Sequence, residues 1–113
     1  MNDTVLETDI REYPLIRRGK VRDVYDLGET LLFVASDRIS AYDWVLPNGI
    51  PGKGKILNSM SLFWFAHTSK LFPNHLVIGE FKSFPEPLKK YGYLEGRSMI
   101  VRKAERIDIE CVA

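Results

Sequence analysis

The segment RRGKVR, residues 17–22, gathers four positive charges around a single glycine. A glycine lets the backbone approach a ligand closely and present its N–H groups. Lys20 adds a compact cation suited to phosphate, and Arg22 points to the same side if the chain is extended. The pattern predicts a flap over a triphosphate, carried by strands. The plain alternative is a solvated basic turn with a structural glycine, because neither GxxxxGK[ST] nor a full GxGxxG motif is present.

Two further segments have residue types that suit anionic ligands. SDRISAYD, residues 36–43, combines an arginine with hydroxyls and acids, which favours a phosphorylated or carboxylated substrate. PGKGK, residues 51–55, repeats the glycine-lysine pairing just before a helical pattern, where backbone N–H groups favour anions. Their plain alternatives are a surface ion pair and a flexible, solubilising loop. Three such elements between residues 17 and 55 favour the functional interpretation.

Composition limits the classes of protein to consider. The 113 residues amount to one domain or part of one, and a net charge of +1 gives no support for a nucleic-acid or membrane-surface role. Cys111 is the one cysteine, which excludes an internal disulfide and fits a reducing compartment. With two histidines and no CxxC, a zinc site is not expected. The sequence lacks a signal-peptide pattern and a membrane-spanning apolar run, so a cytoplasmic protein is expected.

The hydrophobic pattern predicts several strands and one main helix, which must position these residues. The helix covers 55–72, and a long irregular loop occupies 36–54. The other expected elements are a short helix over 3–10, an extended stretch from 15, strands over 21–27, 31–35, 76–78, 98–101 and 107–112, and a helical turn over 85–90. The stretch Phe63–Phe65 is expected in the core, as is Cys111. His75 is expected in a turn.

The last predicted strand, 107–112, runs to the end of the chain without a closing helix or polar tail. This pattern is typical of a fragment of a longer protein. The alternative is a final strand that docks at the edge of a sheet.

Four segments resemble, in order, the N-terminal half of the SAICAR synthetase family: GKVRDVYDLG, LLFVASDRISAYD, LPNGIPGKGKILNSMS and RSMIVRKAERIDIECV. The combination of SDRISAYD with GKGKILN is specific to that family. The resemblance implies an α+β fold, in which an antiparallel-sheet lobe with one main helix, similar to the N-terminal lobe of protein kinases, precedes a larger α/β lobe. Residues 1–113 would then be the N-terminal ATP-binding lobe, without its C-terminal lobe.

The resemblance also implies an activity, that of an ATP-dependent ligase of de novo purine biosynthesis. Such an enzyme joins the amino group of L-aspartate to the carboxylate of carboxyaminoimidazole ribonucleotide and yields SAICAR, ADP and phosphate. ATP is a co-substrate and Mg²⁺ a cofactor. The expected partners are these small molecules. The sequence does not decide whether the protein forms a homo-oligomer.

Matching the family's motifs residue by residue implies two sets of binding residues. The ATP set follows the phosphate-covering loop and the connection between lobes: Gly19, Lys20, Val21, Arg22, Val24, Arg102, Lys103 and Glu110. The set for the ribonucleotide or aspartate follows the second cluster: Arg38, Ser40, Asp43, Lys53 and Asn58. Neither a catalytic residue nor a metal ligand is assigned within the chain.

Two departures from the family pattern matter. Trp44 stands where a smaller apolar residue is expected, and Ala113 stands where the family continues with a valine and then the C-terminal lobe. That lobe is expected to hold most nucleotide-substrate contacts and the acidic metal ligands, so the 113 residues alone are expected to be inactive. The alternatives are a non-catalytic nucleotide- or phosphate-binding module and an inactive fragment that associates with itself through its exposed surface.

Overall fold

A computed structural model describes residues 4–42 and 44–104, which form a five-stranded antiparallel sheet, a separate two-stranded hairpin and one long helix. The strands are β1 (Leu15–Arg18), β2 (Arg22–Asp26), β3 (Thr30–Ala35), β4 (Arg38–Ala41), β5 (Trp44–Gly49), β6 (Leu76–Ile78) and β7 (Ser98–Arg102). The helices are α1 (Lys53–Thr68) and the single turn α2 (Glu86–Lys89), with 3₁₀ turns at Phe81–Ser83 and Gly92–Leu94. The expected strand over 107–112 and Cys111 lie outside the described residues.

The five-stranded sheet has the order β1-β2-β3-β7-β6, and a tight turn sets its central register. The Leu27 amide donates to the Thr30 carbonyl at 3.0 Å, and this two-residue connection places Val24 opposite Phe33. In β7, Met99 lies opposite Phe33. Because side chains alternate along a strand, these three residues share one face of the sheet and their neighbours share the other.

The hydrophobic core lies on the opposite face of the sheet. Strand residues meet Ile10, which precedes β1, and side chains from the segment between β6 and β7. The buried members are Ile10, Tyr25, Leu32, Val34, Phe84, Leu88, Leu94 and Ile100. Apolar burial on this face provides the main stabilising term, at roughly 1.5–3 kcal/mol for each large side chain. The face that carries Val24 and Phe33 is left for α1 and for an open cleft.

The helix predicted over 3–10 is wrong for the part that the structure describes. Residues 4–10, here called the N-terminal strap, have no regular secondary structure. The Val5 amide donates to the Asp37 carboxylate at 2.9 Å, and the Thr8 amide donates to the Asp23 carboxylate at 3.2 Å. A helix over these residues would need the Thr8 amide for its own ladder, so the bond of that amide to Asp23 replaces a helical one and tertiary contacts override the local capping signal.

The irregular loop predicted over 36–54 is also wrong, since most of it forms the β4–β5 hairpin. Most of the hairpin is exposed, and Tyr42 and Trp44 near its tip are 97% and 77% exposed. A hairpin with little cover on either face does not need alternating apolar residues, so the hydrophobic pattern contains no strand signal.

Helix α1 forms close to its predicted range but presents a different face to the sheet. Its buried residues are Gly54 and Asn58, and Ser61 and Phe65 continue the same stripe at helical spacing, half-buried. Phe63 and Trp64 are 59% and 54% exposed, so their assignment to the core is wrong. The small Gly54 brings the helix so close to the backbone of β3 that the stripe of small and polar residues, rather than the larger apolar face, meets the sheet.

Replacing Gly54 by alanine is expected to destabilise the fold by about 1–3 kcal/mol, because the added methyl overpacks this contact. An added Cβ would lie 2.1 Å from the Ala35 carbonyl oxygen and 2.8 Å from Nη1 of the buried Arg97. Thermal unfolding of the full-length protein measures the effect. Gly92→Ala is the matched control, since nothing lies within 4 Å of its added Cβ. Equal melting temperatures for the two variants would contradict the close-approach argument.

Candidate functional site

The loop between β1 and β2 is a tight turn tied to the structure behind it. The Gly19 amide donates to the Arg22 carbonyl at 2.8 Å, which closes the turn. The Val21 carbonyl accepts two hydrogen bonds from Ser36, from its amide at 2.9 Å and from its hydroxyl at 2.6 Å. The loop is therefore fixed at the end of the sheet, where β2 passes residues 35–38.

Beneath this loop the sheet forms a concave surface, here called the cleft face and defined by Val21, Arg22, Val24, Phe33, His75 and Arg102. One hollow on it is lined by loop residues together with Val24 and Phe33. A second hollow, of about 390 Å³, continues along the sheet to Arg102 and Ala104. Val24 and Phe33 line both, so the loop and the end of β7 border one continuous surface. Its size and apolar floor suit a planar ring.

The cleft face is electropositive. Arg17, Lys20, Arg22 and Arg102 line its two hollows, and no acidic residue is among the described residues that line them. The Arg22 guanidinium lies 5.0 Å from the centre of the Phe33 ring, in a cation–π arrangement. Burial lowers the pKa of His75, and the positive charges of Arg22 and Arg102 lower it further, so this imidazole is neutral at pH 7. Such a surface can hold a polyanion beside an apolar ring.

Behind the loop, Asp23 and Arg38 form a buried ion pair. The Asp23 carboxylate accepts from Arg38 Nη2 at 2.8 Å and from the Thr8 hydroxyl at 2.6 Å, and the more exposed Arg18 donates to it at 3.2 Å. Burial alone would raise the pKa of Asp23, but the bonds from Thr8 and Arg38 outweigh burial and hold the pKa below its usual value of 3.8. The carboxylate is therefore charged at neutral pH.

A second buried pair, Asp37 and Arg97, holds the start of α1. Arg97 donates to both carboxylate oxygens of Asp37, at 2.9 and 3.3 Å, and the Gly54 amide donates to Oδ1 at 2.8 Å. Burial would raise the pKa of Asp37, but the bonds from Arg97, Val5 and Gly54 hold it below 3.8. One amide of the helix N-terminus is thus already paired with a carboxylate of this chain.

Acid is expected to unfold the protein through these two carboxylates. Their folded pKa values are depressed, so the stability they provide is complete above pH 3.8 and is lost as pH falls through the folded values. Melting temperature, measured from neutral pH down to about pH 2, should fall below that point. Asp23→Asn should melt lower at neutral pH and depend less on pH below 3.8. An identical slope for variant and wild type would contradict this assignment.

The structure brings together most of the sequence-predicted ATP set. Gly19, Lys20, Val21, Arg22 and Val24 line the hollow under the loop, and Arg102 lines the hollow at the other end of the cleft face. Lys103 is adjacent and pairs with Asp26 at 3.0 Å. Glu110 lies outside the described residues. Whether these groups contact ATP stays a prediction.

The structure describes four of the five residues in the predicted substrate set, and these four differ in exposure. Ser40 is exposed on β4, Lys53 begins α1, and Asp43 lies outside the described residues. Asn58 is buried, and its amide donates to the Gly96 carbonyl at 3.1 Å, although its side chain also borders a hollow beside α1. Arg38 is 5% exposed and bonded within the protein. Direct substrate contacts by these residues stay predictions, and for Arg38 and Asn58 the structure assigns internal bonds.

Sequence reasoning missed Phe33, His75 and Arg17 as part of this surface. Phe33 shares the floor of both hollows with Val24, and a hairpin register counted from the turn at residues 27–30 places the two side by side. His75 lies edge-on to Phe33, with ring centres 5.6 Å apart. Nothing local to His75 indicates this position, because it depends on the pairing of β6 with β7.

Two observations concern metals and membranes. Among residues 4–42 and 44–104, no group of three or more His, Cys, Asp or Glu side chains is placed to hold a metal ion. The described part of the protein therefore offers no carboxylate cluster that fits Mg²⁺. Within the same residues, no helix combines the length and apolar character needed to cross a membrane.

Comparison with known proteins points to one family in every case. The family model described as SAICAR synthetase matches residues 15–113. A phosphoribosylaminoimidazole-succinocarboxamide synthase from Thermodesulfovibrio yellowstonii is 53% identical over an alignment 113 residues long, which covers 99% of this chain and 39% of that protein. The synthase of the same name from Syntrophotalea carbinolica is 54% identical over 109 residues, covering 96% of this chain and 37% of its own length.

Solved structures agree with the sequence comparison. A structure titled SAICAR synthase and one of the SAICAR synthase from Saccharomyces cerevisiae complexed with SAICAR each superpose with a TM-score of 0.79 at 44% identity. Each covers 88% of this chain and 37% of the known chain. The predicted α+β fold, with an antiparallel sheet and one main helix, is confirmed. The chain spans 37–39% of the length of these relatives.

Proposed function

The chain belongs to the SAICAR synthetase family, and on this premise we propose that it is the ATP-binding lobe of a ligase that joins L-aspartate to carboxyaminoimidazole ribonucleotide. The observation that carries the proposal is the cleft face. It combines an apolar floor of Val24 and Phe33 with a cationic rim at the loop around Gly19. ATP has the matching parts, a planar base and a polyanionic tail.

The proposed reaction has two steps. An oxygen of the ribonucleotide carboxylate attacks the γ-phosphorus of ATP, and ADP leaves with the electrons of the broken P–O bond. The aspartate nitrogen then attacks the acyl carbon of this acyl phosphate, phosphate leaves, and the nitrogen loses a proton. In this scheme the loop N–H groups and Lys20 hold the phosphates, because fixed dipoles and charges stabilise the negative charge that moves between them. Mg²⁺ held by ligands outside the described residues would neutralise further phosphate charge.

We place the base of ATP at the Arg102 end of the cleft face. Here Ile16, Val24, Leu31 and Phe33 provide apolar contact, and the backbone leaving β7 borders the hollow at Ala104. A ring bound there would extend its phosphates toward Arg22 and Lys20. The neutral His75 adds an aromatic edge without adding charge.

The outer face of α1 supports the view that this lobe works within a larger protein. Ile56, Met60, Phe63 and Trp64 are each more than half exposed on one side of the helix. Soluble proteins rarely leave a contiguous apolar patch of this kind uncovered. The matched relatives are more than twice as long, so we propose that further polypeptide of the same protein covers this face. Light scattering of the isolated 113 residues would then show self-association, and a clean monomer would contradict the idea.

A direct assay tests the proposed function. The full-length protein is incubated with ATP, L-aspartate and carboxyaminoimidazole ribonucleotide, and SAICAR, ADP and phosphate are quantified. We expect equal amounts of all three, with formation dependent on each substrate, and no turnover from the 113 residues alone. A full-length protein that binds ATP in calorimetry without forming SAICAR would defeat the ligase proposal and favour a non-catalytic nucleotide-binding module. Turnover by the 113 residues would contradict the proposal that they are one lobe.

A further inference from the structure

We propose that Arg38 is a positioning residue that turns two successive peptide groups of the loop toward the phosphates of ATP. The inference rests on the proposed function, because it assumes that this loop covers a nucleotide. It differs from the sequence-based expectation, in which Arg38 contacts the ribonucleotide or aspartate itself.

The hydrogen bonds of Arg38 are the basis of the inference. Its guanidinium donates to the Gly19 carbonyl through Nη2 at 2.9 Å and to the Lys20 carbonyl through Nε at 3.2 Å. Nη1 donates to the Leu6 carbonyl at 2.7 Å, and Nη2 also donates to Asp23 at 2.8 Å. Four of the five N–H groups are thus assigned to partners inside the protein. The side chain lies behind the loop, where it has little capacity left for a ligand.

Because the peptide group is planar, the bonds to the two carbonyls also fix the direction of the adjacent loop amides. The described part of the chain has no cis peptide bond, and in a trans peptide the N–H and C=O groups point opposite ways. Both carbonyls point inward to Arg38, so the amides of Lys20 and Val21 point away from it. In an extended strand successive carbonyls alternate in direction, whereas here two in a row face one side. Successive amides with a common direction form an anion-binding concavity.

The position of these amides agrees with a nucleotide site. Gly19, Lys20 and Val21 all line the hollow of the cleft face that lies under the loop. On the side of the loop away from the hollow, the Val21 carbonyl accepts a hydrogen bond from Ser36, which precedes Arg38 by two residues. One short segment, 36–38, therefore anchors three consecutive carbonyls of the loop. The planar guanidinium can hold two of them at once, a geometry that lysine cannot reproduce.

The chain contains a matched control for the loss of a buried arginine. Arg97 is also almost fully buried and pairs with a buried aspartate, Asp37, but it bonds the Ala35 and Tyr93 carbonyls instead of the loop. Arg38→Met and Arg97→Met are expected to destabilise the protein by similar amounts. Only the Arg38 variant should disturb ATP binding selectively.

The test measures steady-state kinetics of the full-length enzyme, with KM determined separately for ATP, L-aspartate and the ribonucleotide. For Arg38→Met we expect the KM for ATP to rise at least roughly tenfold, because a displaced loop loses its alignment with the phosphates. The other two KM values should stay within about twofold. Arg97→Met should show no such selectivity. Arg38→Lys keeps the positive charge but lacks the planar guanidinium that holds two carbonyls. We therefore expect this variant to show most of the increase in the KM for ATP that Arg38→Met shows.

Three results would overturn the inference. The first is an ATP KM in Arg38→Met that rises no more than in Arg97→Met. The second is a full return to the wild-type KM in Arg38→Lys, which would mean that charge alone matters. The third is a selective rise in the ribonucleotide KM, which would support direct substrate contact.

If Arg38→Met does not fold, Arg38→Lys alone decides, and an unchanged KM for ATP contradicts the inference. Failure of the proposed function is distinguishable, because the wild-type enzyme would then form no SAICAR.

Discussion

Replacing Asp37 by alanine is expected to lower the free energy of unfolding by about 3–5 kcal/mol. The carboxylate is fully buried and accepts hydrogen bonds from the Val5 amide, the Gly54 amide and the Arg97 guanidinium. Removing it leaves the Arg97 charge buried without its partner and two amides without their acceptor. A loss of this size is a large fraction of the total stability of an ordinary domain, about 5–15 kcal/mol.

The effect should be local to the elements that Asp37 joins. Hydrogen-exchange mass spectrometry of the full-length protein, in parallel with urea unfolding, should show faster exchange in the N-terminal strap and at the start of α1. Glu80→Ala is the control, because Glu80 pairs with Lys82 in an exposed ion pair at 3.3 Å. Surface pairs contribute about 0–1 kcal/mol, so its unfolding curve should barely move. A similar small shift for Asp37→Ala would mean that the buried network does not hold these elements.

The elements that sequence predicted well are those whose signals are local. The β2–β3 hairpin follows from a tight turn at Gly28 flanked by β-branched and aromatic residues, and these features lie within a few residues of each other. The short strand at Leu76–Ile78 and the strand at Ser98–Arg102 were found for the same reason. A run of apolar residues between turn signals is enough to define them.

The elements that sequence missed depend on contacts between distant residues. The N-terminal strap bonds to Asp37, a carboxylate 32 residues from Val5 along the chain, and no local pattern encodes that contact. In α1 the apolar periodicity indicated the wrong face, because the close approach of Gly54 to the Ala35 carbonyl decides how the helix sits. Hydrophobicity therefore predicted that a helix forms but not which side it buries.

The candidate site shows the same division between local chemistry and long-range placement. The cluster of cations beside a glycine is visible in the sequence, and in the structure Gly19, Lys20 and Arg22 line one hollow. Arg38 also stands out by type, yet its bonds to the Gly19 and Lys20 carbonyls exist only after the loop has folded over it. An arginine near hydroxyls can bind a ligand or fix the backbone of a loop, and the residue types alone do not distinguish these two roles.

Replacing Lys20 by methionine is expected to weaken ATP binding by the full-length enzyme about ten- to a hundredfold. A hydrogen bond to a charged group contributes about 1.5–3 kcal/mol, and each 1.4 kcal/mol changes the dissociation constant tenfold. Methionine keeps the apolar length of the side chain and removes the charge. Because Lys20 is exposed, the folded structure should be little affected and the melting temperature should stay near that of the wild type. Isothermal titration calorimetry with ATP measures the change.

The charge dependence of binding separates a phosphate contact from a general loss of fit. The ATP affinity of the wild type should fall as ionic strength rises, and that of Lys20→Met should fall less steeply, because one screened attraction is already gone. Lys82→Met is the matched control, since Lys82 is exposed, pairs with Glu80 and is not among the described residues that line the hollows of the cleft face. Its ATP affinity and its salt dependence should equal those of the wild type. Equal affinities for Lys20→Met and Lys82→Met would mean that the loop around Gly19 does not carry the phosphates.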